Sequence, residues 1–216
     1  MDLPIRAVRR ALSWTSAGFC LAGLLAELLR EALALGDHPL VALWSLSFEG
    51  NLPGWYASAL PLLCAALLAW VAADEPVDRG HWRALALGFL AISIDEIVGG
   101  HELLSGLFAT RGALHFGWVI PAGALVLALG LAFLGFLRRL SRETARRFVL
   151  AGAIYVTGAL LCDLPLGWWT ERHGDANLGY YLIDWTEETL ELLGLTLFAA
   201  ALLDRLAGRP LRLTPG

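Results

Sequence analysis

The sequence predicts an all-α fold, an integral membrane bundle of six transmembrane helices forming a single domain over residues 1–216. Three observations carry that prediction. The chain is 57% hydrophobic and only 17% charged, with a mean hydropathy of +0.62, far too apolar for a soluble domain of this length. Six apolar stretches approach the roughly 20 residues that a bilayer requires of a helix. Their apolar positions are mostly Ala and Leu, without period-2 alternation, which argues for a helical bundle and against a barrel.

The first stretch, residues 11–35, follows Arg6, Arg9 and Arg10. A basic start, an apolar run and Ala32-Leu33-Ala34 also describe a cleavable signal. Glu27, Arg30 and Glu31 close the run, which is longer than an ordinary signal core, so the reading is a retained first helix. The remaining spans cover residues 55–73, 82–108, 114–137, 148–168 and 179–206. Pro61, Pro121 and Pro165 lie within or near them, where neighbouring helices satisfy the freed carbonyls, and each marks an expected kink. No linker divides the chain, and no fixed-period or inverted repeat is visible.

Cys20, Cys64 and Cys162 all fall in apolar segments, and an odd number so placed reads as helix packing and not as a disulfide framework. Every one of the 16 basic residues is arginine, which reads as a GC-rich bacterial coding bias. The net charge of −4 argues against a nucleic-acid partner, which needs a basic face.

Orientation follows from the arginines. Thirteen of the 16 precede the first span, lie in or flank the connections between spans 2 and 3 and spans 4 and 5, or stand at the end of span 6 and beyond it. Only Arg30, Arg111 and Arg172 belong to the opposite side. The positive-inside rule then places both termini in the cytoplasm of a bacterial inner (plasma) membrane, as a multi-pass protein.

Sorted by depth on that topology, the acids gather in the outer half. The densest run is Ser93-Ile-Asp95-Glu96-Ile-Val-Gly-Gly-His101-Glu102, and burying ionisable groups in hydrocarbon costs several kcal/mol each by most scales. Glu27 and Glu31 on span 1, Asp163 on span 5 and Asp184, Glu187, Glu188 and Glu191 on span 6 reach the same half. Glu49 and Asn51 stand in the segment leading into span 2. On span 6 the four acids fall within an arc of roughly 100° at 100° per residue, one polar stripe. Span 3 cannot aim all its polar groups at one point as a regular helix. Gly99-Gly100 therefore predicts a break that lets His101 and Asp95 converge.

Four blocks, Phe48-Glu49-Gly-Asn51-Leu-Pro53-Gly-Trp55-Tyr-Ala-Ser58, Ser93 to Glu102, His173-Gly-Asp-Ala-Asn177-Leu and Glu187-Glu188-Thr-Leu-Glu191-Leu-Leu-Gly194, resemble in order and spacing a family of bacterial polytopic membrane proteins usually described as hypothetical. The resemblance runs from span 2 onward. It implies the six-helix fold and marks the blocks, and it supplies no reaction. This chain departs from the pattern at Gly54, where threonine is expected, and at Asp163, where glutamate is expected.

The residue types themselves point first to a metal. Carboxylates from several helices with one or two imidazoles suit hard or borderline divalent ions such as zinc, iron or manganese. Glu49, His101 and Glu102, with His173 from an outer loop, are the expected ligands, and Asp95, Glu96 and Glu188 the expected catalytic carboxylates. Asn51, Asp163, Asp184, Glu187 and Glu191 would complete the polar wall. The Glu-x-x-His element of di-iron bundles is absent, and a three-histidine zinc set drawn from His38, His101, His115 and His173 stays open. Such a site would serve a metal-dependent hydrolase or oxidase acting on a lipid-like substrate. Two other classes remain: a proton- or cation-coupled transporter, whose path through the inner half offers little beyond Thr15 and Thr157, and a non-catalytic membrane subunit.

Overall fold

A computed structural model of the chain describes residues 5–105 and 110–207. The described residues are helical with short connections and no strand. In order they form α1 (Ile5–Ala32), α2 (Pro39–Trp44), α3 (Leu52–Asp74), α4 (Arg79–Val98), α5 (Gly100–Ser105), a 3-10 turn (Gly112–Leu114), α6 (Val119–Arg139), α7 (Arg142–Val156), a π-helical segment (Thr157–Cys162), α8 (Asp163–His173) and α9 (Leu178–Leu206). The last three elements before α9 are continuous, so Arg142–His173 is one helical course.

Among the described residues, four helices are long and apolar enough to cross a membrane: Ile5–Ala32, Leu52–Asp74, Val119–Arg139 and Arg142–His173. Six were expected. The two that fall short are α4 and α9, the helices bearing the two acidic runs, because their charges dilute the apolar window. The span expected at residues 82–108 is also divided: α4 stops at Val98, Gly99 adopts a left-handed conformation (φ +61, ψ 36), and α5 begins at Gly100.

Local chemistry fixes the starts. The Asn51 carboxamide accepts the Gly54 N–H at 2.9 Å, with Pro53 in the first turn of α3. Ser141 caps α7 through the Thr144 N–H, and Asn177 caps α9 through the Tyr180 N–H at 3.1 Å. Each satisfies one of the donors a helix start leaves free. The π-helical turn lies just before Pro165, whose missing N–H and ring bulk disfavour a regular α turn there.

α9 is the central helix, packed against α1, α3, α7, α8 and the π segment, while α3 lies along α4. Glycines set how closely α7 and α9 approach. A Cβ on Gly194 would fall 2.7 Å from the Tyr155 nitrogen, and one on Gly158 would fall 2.7 Å from the Glu187 carbonyl oxygen. Small residues at such crossings are what packing between helices in lipid relies on.

The main core lies at the arginine-rich end, where Cys64, Leu68, Val71, Trp82, Phe136, Ala199 and Leu202 are buried together. Ion pairs surround it. Arg9 and Arg147 both reach Asp204 at 2.7 Å, Arg205 reaches Glu75 at 2.7 Å, and Arg139 reaches Asp78 at 2.5 Å. Elsewhere large apolar side chains stay uncovered, among them Leu21, Leu87, Leu125, Leu127 and Leu131. An apolar surface this extensive is unusual for a protein in water.

Candidate functional site

The helix break builds the first wall. Because Gly99 reverses the chain direction, the His101 backbone N–H and ring return over the end of α4. His101 N–H donates to Asp95 Oδ1 at 3.2 Å, and His101 Nδ1 lies 2.7 Å from Asp95 Oδ2. The predicted convergence therefore occurs, and the Trp118 ring covers the imidazole, its centroid 5.0 Å away. Gly100 is needed for the turn: a Cβ there would fall 2.7 Å from Asp95 Oδ1.

The second wall is the acidic stripe of α9, which faces α4, α7 and α8. Glu191 meets the Tyr155 hydroxyl, and Glu96, Glu188 and Glu191 all act electrostatically on Tyr155. Asp163, at the junction of the π segment and α8, is 5% exposed and faces the Trp118 indole N–H. It lies near enough to Glu187 and to His101 for each to influence its charge. The second carboxylate oxygens of Asp163 and Glu187 are buried without a hydrogen-bond partner. A carboxylate oxygen buried in this way is costly unless a donor or a cation from outside the chain meets it.

Asp184 leads from this chamber into a third group. It accepts a short hydrogen bond from Ser47, and Glu27 accepts another from Ser45. Glu27 is 0% exposed and lies 3.5 Å from Arg30. The Arg30 guanidinium is held over the Tyr181 ring at 4.0 Å and reaches Asp37 at 3.0 Å.

From Glu27 a polar seam follows the contact between α1 and α9. Glu27 stands beside Asp184, Cys20 beside Thr189, Ser16 beside Thr196 and Arg9 beside Asp204. As positions rise on α1 they fall on α9, which is the register of an antiparallel pair. Ser16 Oγ lies 2.6 Å from Thr196 Oγ1 and 2.9 Å from the Tyr56 hydroxyl, a buried trio. Trp185 donates its indole N–H to the Cys20 carbonyl at 2.8 Å. The 18 residues from Arg9 to Glu27 span about 27 Å at 1.5 Å per residue, close to the thickness of a bilayer's hydrocarbon core.

The expected residues divide accordingly. Asp95, Glu96, His101, Asp163, Glu187, Glu188 and Glu191 form one cluster of mutually interacting groups, with Asp184 at its edge. Glu49 is exposed at the rim, near enough to Glu96 to act on it through space. Asn51 is occupied otherwise: its amide nitrogen donates to the Ala42 and Ser45 carbonyls and its oxygen caps α3, so it orders the connection. His173 is exposed, stacked on Trp169 at 4.4 Å. His38 and His115 are likewise exposed. The Glu102 side chain lies outside the described residues. Among the described residues no three His, Cys, Asp or Glu side chains are arranged to hold a metal ion. Of the expected ligands, Glu49 and His173 are exposed and His101 is bonded to Asp95.

Sequence reasoning missed Tyr155, Ser45, Ser47 and the Ser16–Tyr56–Thr196 trio as site residues. Their only signal is single hydroxyls inside apolar stretches, a pattern that ordinary helix packing also produces.

No curated protein and no solved structure matches the chain. A family model described as "Domain of unknown function (DUF8692)" matches residues 7–206, nearly the whole chain, and the protein belongs to that family.

Proposed function

We propose that the protein is a six-span bacterial inner-membrane protein with cytoplasmic termini, acting as a proton- or cation-coupled transporter. The carboxylate chamber takes up protons or small cations from the outer side, and the α1–α9 seam connects it to the cytoplasmic end. α4 and α9 complete the six spans, their charges turned to the chamber. The ion pairs among Arg9, Asp204, Arg147, Arg139 and Asp78 support a common side for the N-terminus, the 2–3 and 4–5 connections and the C-terminal end of α9.

The observation that carries the reading is the seam. The sequence by itself offers few polar steps in the inner half, beyond Thr15 and Thr157. The Ser16–Tyr56–Thr196 trio supplies one, buried between α1, α3 and α9. An enzyme confined to the outer chamber has no need of that seam.

Proteoliposomes test it. A pH gradient across vesicles containing the protein is expected to drive proton uptake above protein-free vesicles, and Glu188→Gln to abolish the excess. Uptake unaffected by Glu188→Gln, or equal to that of empty vesicles, would overturn the proposal. Metal analysis of the same preparations addresses the metal-dependent enzyme: stoichiometric metal lost in His101→Ala, Glu102→Ala would favour that reading instead.

A further inference from the structure

At the arginine-rich end, a cleft of about 450 Å³ lies along α1 and α9. Its walls carry Arg6, Arg9, Arg10 and Ser13 on one side and Thr196 and Leu197 on the other, with Trp14 at the mouth. Arg9 is turned to Asp204 at 2.7 Å, and its Nε is buried without a hydrogen-bond partner. Arg6 and Arg10 are exposed and have no acidic partner among the described residues. Three guanidiniums within five residues, with one carboxylate between them, leave an excess of positive charge and several planar N–H pairs. Those are the donors that phosphate oxygens accept in bidentate fashion.

The apolar part of the same cleft selects what carries the phosphate. Trp14 is 77% exposed, and Leu197 lies across from it. The next turns of α1 continue outward with exposed Leu21 and Leu25. A phosphate seated on Arg6 and Arg10 would therefore have an uncovered apolar helix face directly beside its attachment point. Tryptophan at that level, with its amphipathic ring, belongs at a headgroup boundary. A free phosphate ion would use the arginines and leave the apolar wall idle; a diacyl lipid uses both.

We infer that this cleft is a binding site for the phosphate headgroup of an anionic phospholipid of the cytoplasmic leaflet, held by Arg6 and Arg10 with its chains along Trp14 and α1. The inference rests on the membrane reading but not on proton transport. Occupation would clamp α1 to α9 beside Thr196, between the hydroxyl trio and the Arg9–Asp204 end of the polar seam.

The experiment uses the full-length protein in detergent micelles doped with phosphatidylglycerol or phosphatidylcholine, with retained lipid counted by native mass spectrometry. Phosphatidylglycerol is expected to be retained roughly thirtyfold better, given about 1 kcal/mol for each of the two arginines near an anionic headgroup. Arg6→Gln, Arg10→Gln should remove that preference while leaving the unfolding temperature in neutral detergent unchanged, and Trp14→Ala should weaken retention of both lipids. Equal retention of the two lipids, or a preference that survives the double substitution, would overturn the assignment. So would displacement of the lipid by millimolar inorganic phosphate, which would mark a free-phosphate site. Extraction of the protein from membranes by alkaline carbonate would instead sink the membrane reading itself, a separate outcome.

Discussion

His101 and Asp95 are held 2.7 Å apart, Nδ1 to Oδ2, across a break in the chain and not along a helix face. In an uninterrupted helix six residues place two side chains about 120° apart and a turn and a half distant. The contact exists because Gly99 adopts φ +61, a conformation that costs other residues about 1–2 kcal/mol.

That relationship makes the first prediction. Gly99→Ala should lower stability by about 1 kcal/mol through the left-handed backbone. Gly100→Ala should act differently, by driving a methyl into Asp95 Oδ1 and parting it from His101. Denaturation midpoints in detergent check the first, and the chemical shift of the His101 ring the second. Two variants indistinguishable from wild type would mean that the break does not hold the pair.

Gly158 and Gly152 lie on the same helical course and predict opposite outcomes. A Cβ at Gly158 meets the Glu187 carbonyl oxygen at 2.7 Å, whereas one at Gly152 meets nothing within 4 Å. Gly158→Ala should cost about 1–3 kcal/mol by overpacking, and Gly152→Ala should gain up to about 1 kcal/mol from helix propensity. Thermal unfolding of the two variants side by side decides it; a tolerated Gly158→Ala would count against the close α7–α9 crossing.

The arginine-rich end gives a pH dependence. The Arg139 guanidinium bonded to Asp78, with His81 also near, holds that carboxyl below the usual aspartate range. A carboxyl depressed in the folded state contributes stability that is present above its unfolded value, near 3.9, and is lost as the pH falls through the lower folded value. Asp78→Asn should therefore be less stable than wild type at neutral pH, with the difference closing below about pH 4. Asparagine tolerates the left-handed backbone at this position, so the substitution isolates the charge. A gap that persists unchanged into strong acid would contradict the assignment.

The seam yields the fourth prediction. Thr196→Val keeps the shape of the side chain and removes the hydroxyl bonded to Ser16, at a stability cost of about 1 kcal/mol. Proton uptake into proteoliposomes should fall while the protein still inserts and elutes as a single species. Tyr56→Phe, which removes the other partner of Ser16, should behave alike. Undiminished uptake in both variants would place the conduction route elsewhere.

Sequence composition alone determined that this chain is helical and apolar, because hydrophobic content and the absence of period-2 alternation are properties of the chain itself. Ionisable residues in apolar stretches are too costly to be incidental, and Asp95, Glu96, Asp163, Glu187, Glu188 and Glu191 could be marked by that cost alone. The Gly99-Gly100 break was legible too, since a regular helix cannot bring His101 back to Asp95 and paired glycines let a helix unwind or bend. What the tertiary structure decided is which of these residues face one another. Glu49 and His173 share the acids' end of the chain but stand at its surface, because a position along the sequence fixes depth and not the direction of a side chain. Asn51 is consumed by a cap that only the folded connection reveals. The polar seam was invisible for the same reason: Ser16, Tyr56 and Thr196 are isolated hydroxyls in three separate apolar runs, and only the antiparallel register of α1 against α9, with α3 beside them, makes them neighbours.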